Sequence, residues 1–218
     1  MLNSIGEVLP NAARSFGNKT ALVADGRSFS FRELDGLSSA LAASLVKLGI
    51  ASGDRVTLYA PNSWEWIVSY YGALKTGAVI NPVNVMLTPA EVAYVTKDCG
   101  AKALIGSPDK IAPVLDAGVS GLTTIAFGET SVLGTTAFNE LVAKPAFFEP
   151  VAVDRKAVST IGYTSGTTGH PKGAMQSHEA VMLNGAMTAQ FHAKSNLDTV
   201  VTALPCPHVY GNVVFNGA

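Results

Sequence analysis

The residues best suited to chemistry are gathered in one short segment, Tyr163-Thr164-Ser165-Gly166-Thr167-Thr168-Gly169-His170-Pro171-Lys172-Gly173. Hydroxyls at Thr164, Ser165, Thr167 and Thr168 are short, rotatable donors, and Lys172 adds a positive charge. Glycines at 166, 169 and 173 permit sharp turns and let backbone N–H groups come close to a ligand. Together these groups can wrap a polyphosphate. A plain Gly/Thr-rich surface turn has a similar composition, but it has no need of ordered hydroxyls followed by Pro-Lys-Gly. Rival motifs fail on the residues themselves. A Walker loop needs Gly-Lys and then Ser or Thr, whereas Pro171 precedes Lys172 and Gly173 follows it. No G-x-G-x-x-G run occurs. A nucleophile elbow needs glycine two residues either side of its serine, and Ser165 has Tyr163 and Thr167 there.

Such a segment needs rigid elements to hold it. A β-prone run, Val158 to Tyr163, leads in, and Ser177 can cap a following helix with Glu179 in its first turn. Upstream, Ser30 and Glu33 form a capping box, and Leu34, Leu37, Leu41, Leu45 and Leu48 recur on one helix face up to Gly49. A weaker helical pattern covers residues 4–15. Arg55 to Tyr59 reads as a strand. Ser63 caps a helix running through Trp64, Trp66, Ile67 and Leu74 to Gly77. Ala78 to Ile80 is a short strand ended by Asn81-Pro82. Thr88-Pro89-Ala90-Glu91 opens a helix that stops at Gly100. Ala103 to Ile105 and Thr123 to Phe127 are further strands, and 128–150 reads as a surface connection with a short helical pattern near 138–142. Repeated β-then-α units predict an α/β fold, a layered and mostly parallel sheet with helices on both faces.

Bulk properties narrow the class. The net charge is −1 with no basic stripe, which argues against nucleic acid. No apolar stretch reaches the length of a spanning helix. The start, Met1-Leu2-Asn3-Ser4-Ile5-Gly6-Glu7, lacks the basic region of a signal peptide, and the two cysteines, Cys99 and Cys206, suit a reducing compartment, so the expected location is cytoplasmic. Charged residues make up 14% against the usual quarter. That leaves two readings open, a tightly packed core or an apolar surface meant for a partner or for further chain.

The eleven-residue segment resembles the signature loop of the adenylate-forming, AMP-binding superfamily, which includes acyl-CoA synthetases, luciferases and peptide-synthetase adenylation domains. Other stretches resemble that family too: Ile5-Gly6-Glu7 onward to Val23, Ser30-Phe31-Arg32-Glu33-Leu34, Gly49 through Val56, Ala73-Leu74-Lys75-Thr76-Gly77-Ala78, and Pro205 to Gly211 with His208. Asn81-Pro82, Asn84 and Leu87 to Glu91 resemble acyl-CoA synthetases in particular.

The resemblance implies two steps. A carboxylic acid is joined to AMP with release of pyrophosphate, and the thiol of coenzyme A then attacks the acyl-adenylate. ATP, Mg²⁺ and coenzyme A would be required. Thr164, Ser165, Gly166, Thr167, Thr168, Gly169 and Lys172 would hold the ATP phosphates, and His208 would line the entry between the nucleotide and acyl sites. His170 occupies a place the family leaves variable and is expected to be a solvated loop residue. Pro207 stands where the family often has a larger residue, which alters the expected acid pocket.

His178, Met182, Met187, Trp64, Trp66, Tyr70 and Tyr71 are expected to be structural. Residues 1–53 are expected to belong to a neighbouring lobe and to be less protected, 54–205 to form the α/β subdomain, and 206–218 to begin the next lobe. The family's Mg²⁺ ligand, ribose aspartate and adenylation lysine lie in later blocks. The chain is therefore expected to be an N-terminal fragment without a complete catalytic set or a metal site, partnered by the rest of the same enzyme, with room for a homodimer. The alternatives are a non-catalytic nucleotide- or acyl-adenylate-binding module, and an adenylating enzyme whose acceptor is a carrier-protein thiol.

Overall fold

The computed structural model describes residues 2–129, 132, 134–164 and 170–217. A single 3-10 turn, Ile5–Glu7, leads into α1 (Val8–Phe16), and a hairpin of β1 (Thr20–Ala24) and β2 (Arg27–Ser30) follows. Asp25 and Gly26, at φ 52° and 73°, make its two-residue turn, the backbone that an Asp-Gly pair favours. Ser30 then caps α2 (Phe31–Lys47) through the expected capping box with Glu33. Gly49 ends that helix at φ 89°, where a side chain would be strained.

The main sheet contains β3 (Arg55–Tyr59), β4 (Val79–Pro82), β5 (Ala101–Gly106), β6 (Thr123–Ala126), β7 (Thr136–Ala137), β8 (Val158–Thr164) and β9 (Lys172–Ser177), in the order β7-β6-β5-β3-β4-β8-β9. All its pairings are parallel except β8 with β9, which is antiparallel. The connecting helices are α3 (Trp64–Lys75), α4 (Pro89–Asp98), α5 (Pro108–Asp116) and the short α6 (Phe138–Leu141), and α7 (His178–Phe191) and α8 (Val209–Asn216) close the chain.

Alternate strand residues point to opposite faces, and both faces are buried. Val56, Leu58, Ala103, Ile105 and Ile125 meet α2, α3 and α7, while Leu104 and Ala126 meet α4 and α5. The sequence shows the consequence as short apolar runs without clean alternation, as parallel strands covered on both sides require.

Residues before 53 have no core of their own. Ile5, Leu9, Phe29, Leu34, Leu41 and Leu45 join Trp66, Tyr70, Leu74 and the sheet in a single cluster. The contact is tight: a Cβ on Gly6 would lie 2.7 Å from the Leu74 carbonyl oxygen, and one on Gly72 would lie 3.0 Å from the Leu41 side chain. Lys75, fully buried, donates to the Asp35 carboxylate at 2.6 Å and to Ser38 and Ser39 hydroxyls at 2.8 Å, tying α3 to α2. This packing joins the residues before 53 to the core around the sheet.

Other expectations shift in detail. β4 runs on through Asn81 and Pro82, because Val83 N–H reaches the Leu58 carbonyl at 2.9 Å and continues the pairing past the proline. Leu48 caps α2 and is 39% exposed, and Met187 is 62% exposed rather than in the core, whereas Met182 packs against it. Trp66, Tyr70 and Tyr71 are buried, with Trp66 and Tyr70 stacked at 5.5 Å.

Candidate active site at the carboxyl edge of the sheet

The chemistry-bearing segment spans the two strands of a hairpin. In the β8–β9 register Thr164 lies opposite Lys172, and Tyr163 opposite Gly173. Directly paired residues carry their side chains on the same face, with Cβ atoms about 5 Å apart. The hydroxyl and the ammonium therefore stand side by side where the strands part. Both residues are exposed, and among the described residues neither side chain has a hydrogen-bond or ion-pair partner. Ser165, Gly166, Thr167, Thr168 and Gly169 lie outside the described residues. Gly173 gains a second reason for being glycine. A Cβ there would meet Ile161 Cγ2 at 2.8 Å and the Tyr163 ring at 3.1 Å, so its absence lets that ring lie across the strand.

Two contacts from α4 hold the hairpin, and no local sequence pattern signals either. Tyr163 Oη donates to Asp98 Oδ2 at 2.5 Å. Burial pushes the Tyr163 phenol well above its ordinary value, and the Asp98 carboxylate pushes in the same direction. One turn earlier, Tyr94 stacks on the His170 ring at 4.6 Å with 17° between planes. His170 is exposed, as expected, but it is docked on a partner rather than merely solvated.

β8 runs parallel to β3 and β4, so Thr164 stands at the carboxyl edge of the sheet, where ligands of open α/β sheets bind. A second segment is pinned there by the loop leaving β3. Asn62 Nδ2 donates to the Leu204 carbonyl at 2.8 Å, and Asn62 Oδ1 accepts from Cys206 N–H at 2.7 Å. That anchor starts α8, whose N-cap is His208: its Nδ1 accepts from Tyr210 N–H at 3.3 Å. Gly211 closes the turn, since a Cβ there would fall 2.1 Å from the Pro205 carbonyl oxygen. Burial pushes the Cys206 thiol up to about 12. With β4 between β3 and β8, the two loops leave the sheet about 10 Å apart, two strand spacings.

His178 lies elsewhere. Ser177 pairs with Val158 at the amino end of β8, so His178 follows about 20 Å from Thr164 along the strand. It is 1% exposed, and its Nδ1 accepts Ile5 N–H at 3.2 Å. Burial holds its pKa below the ordinary value despite the nearby Glu7. Its role is structural.

An exposed hydroxyl and an ammonium without a partner among the described residues fit a phosphate. They do not fit a metal ion, and among the described residues no three His, Cys, Asp or Glu side chains converge as ligands. No helix among the described residues is long and apolar enough to cross a membrane.

The chain is 37% identical over 183 residues to a long-chain-fatty-acid–CoA ligase, FadD13, of Mycobacterium tuberculosis, covering 83% of this chain and 36% of that protein. It is 33% identical over 194 residues to 4-coumarate–CoA ligase 5 of Oryza sativa subsp. japonica, covering 86% and 35%. In three dimensions it matches the crystal structure of the anthranilate CoA ligase AuaEII in complex with anthranoyl-AMP, with a TM-score of 0.77 and 29% identity over 86% of this chain and 36% of that one. The chain thus spans about a third of the length of these relatives. The family described as AMP-binding enzyme matches residues 9–218, and the chain belongs to that family.

Proposed function

We propose that the chain forms the phosphate-binding part of an ATP-dependent acid–CoA ligase, which activates a carboxylic acid as an acyl-adenylate and passes it to coenzyme A. The observation that carries the reading is the pairing of Thr164 with Lys172 at the mouth of the β8–β9 hairpin, on the edge of the sheet that also holds the His208 block. A carboxylate attacks the α-phosphate of ATP only if the departing pyrophosphate is stabilised, and donors fixed in advance do this best. Thr164 offers a hydroxyl and Lys172 a positive charge for that end of ATP. In this reading Ser165, Gly166, Thr167, Thr168 and Gly169 complete the cradle. His208, exposed at the start of α8, stands between the nucleotide and the acid.

The catalytic unit in this proposal is larger than the chain. Leu183, Met187 and Phe191 of α7, with Leu197 and Val201 after it, are between 53% and 91% exposed. Such a patch suits burial against further protein, and the chain's share of its relatives' length supplies that protein in kind. The resident groups of a ribose site and the cation that meets the α-phosphate are assigned to that remainder.

Acid-dependent exchange of labelled pyrophosphate into ATP tests the reading. A protein extended to the relatives' length should catalyse the exchange, and the 218-residue chain should not. Loss of one preorganised donor typically costs 10²–10³ in rate, so loss of several leaves nothing measurable. Exchange by the short chain alone, or none by the extended one, refutes the assignment.

A further inference from the structure

The hairpin that carries Thr164 and Lys172 is buried at the start of β8 and largely exposed towards its mouth. β9 is the edge strand of the sheet, and Lys172, Gly173, Ala174 and Met175 are all exposed. The Tyr163 ring packs against the core beside α4, but apolar burial has no direction of its own and cannot by itself set where the hairpin mouth points. Two directional contacts can, and both come from one face of α4, whose residues 94 and 98 are a single helical turn apart. Asp98 takes the Tyr163 hydroxyl and Tyr94 takes the His170 ring. Tyr163 directly precedes Thr164, and His170 is two residues before Lys172. The brace therefore grips the end of β8 and the residues leading into β9, beside the proposed phosphate contacts.

We infer that Asp98 and Tyr94 are positioning residues for phosphate binding: α4 sets the direction of the hairpin mouth and so the place of Thr164 and Lys172. This rests on the proposed function, since it assumes that the mouth meets the phosphates of ATP. Neither residue touches substrate in this account. The Tyr163–Asp98 bond suits the role because an ionised acceptor makes a short, strongly directional hydrogen bond. α4 is itself well anchored, with Val92 and Val95 fully buried and its N-terminus closed by the Thr88–Glu91 capping box.

The test uses the protein extended to the relatives' length, carrying Asp98→Ala, Asp98→Asn, Tyr163→Phe or the double variant. ATP and AMP affinities are measured by titration, with amide hydrogen exchange of β8 and β9 alongside. Asp98→Ala and Tyr163→Phe should each weaken ATP binding roughly three- to tenfold, the scale of one lost hydrogen bond to a charged group that is partly open to solvent. AMP, which lacks the outer phosphates, should bind as before. The double variant should be no worse than either single one, because both remove the same bond. Asp98→Asn keeps an acceptor and should recover most of the affinity. Exchange in β8 and β9 should quicken in the Ala and Phe variants while global thermal stability holds. Equal losses for ATP and AMP, additive losses in the double variant, or unchanged exchange would each overturn the inference. If the unaltered extended protein binds no ATP, the functional reading fails. The brace is then judged by exchange alone, and unchanged exchange refutes it.

Discussion

Replacing Lys172 by Ala tests the proposed phosphate site most directly. Lys172 is exposed at the start of an edge strand, is paired across the ladder with Thr164, and makes no ion pair among the described residues. Its removal should therefore leave stability within about 0.5 kcal/mol, as for surface positions generally. Its value should appear only when a phosphate is bound. A hydrogen bond between charged groups contributes about 1.5–3 kcal/mol, and exposure with salt screening brings this to about 1–2 kcal/mol, or roughly five- to thirty-fold in ATP affinity. The assay is isothermal titration with ATP at fixed ionic strength, repeated at higher salt, where the difference should shrink. Lys102→Ala is the control, because Lys102 is equally exposed but stands near the amino end of β5, at the far edge of the sheet. An unchanged ATP affinity in Lys172→Ala, or an equal loss in Lys102→Ala, would refute the placement of the phosphates at the hairpin mouth.

Two further predictions concern the frame. Lys75→Met should destabilise the chain by about 2–4 kcal/mol, lowering Tm by roughly 5–15 °C in thermal denaturation, because Asp35 loses a buried partner and Ser39 an interaction, while solvent at the 26% exposed Asp35 side chain softens the loss. Burial holds the Lys75 ammonium below its ordinary 10.5, with Asp35 pulling the other way. Just below pH 10.5 the unfolded chain therefore binds more protons at this site than the folded one, so the group adds stability as pH rises there. Lys75→Met should remove that alkaline gain. Finally, Cys206 is 7% exposed with its thiol pushed up to about 12, so in a Cys99→Ser background iodoacetamide should label it slowly. Asn62→Ala, which frees Cys206 N–H and the Leu204 carbonyl, should speed labelling several-fold without unfolding the chain.

Local signals were the legible ones. The capping boxes at Ser30 and Thr88 and the glycine stops at 49, 77 and 100 stand where the sequence placed them, because each is decided within four or five residues. Asp25-Gly26 carried the same kind of signal for the β1–β2 hairpin and could have been read. β9 could not: Gly173, Ala174 and Gln176 have low strand preference and no alternation, and only pairing with β8 makes them a strand. α5 was obscured by Pro113 inside it, tolerated in a helix held by buried Ile111 and Val114. At the site, the residue types of Thr164 and Lys172 were legible but their facing arrangement was not. The contributions of Asp98, Tyr94 and Asn62 were invisible, because they depend on contacts between segments distant in sequence.

Those distant contacts share a physical logic. The core fixes α2, α3 and the strands by apolar burial, a force without direction. The segments at the carboxyl edge expose most of their residues and bury few apolar groups, Cys206 and Tyr163 among them. Each is also tied by polar or aromatic contacts reaching across the sequence, Tyr163 to Asp98 over 65 positions and Cys206 to Asn62 over 144. A net hydrogen bond contributes only about 1 kcal/mol to stability, so such ties add little to the fold. Their geometry is narrow, however, and narrow geometry is what a phosphate contact requires of its donors. The residues that orient the edge are thus expected to differ from those that stabilise the chain. Substitutions at Asp98 or Asn62 should change what the site binds before they change whether the protein folds.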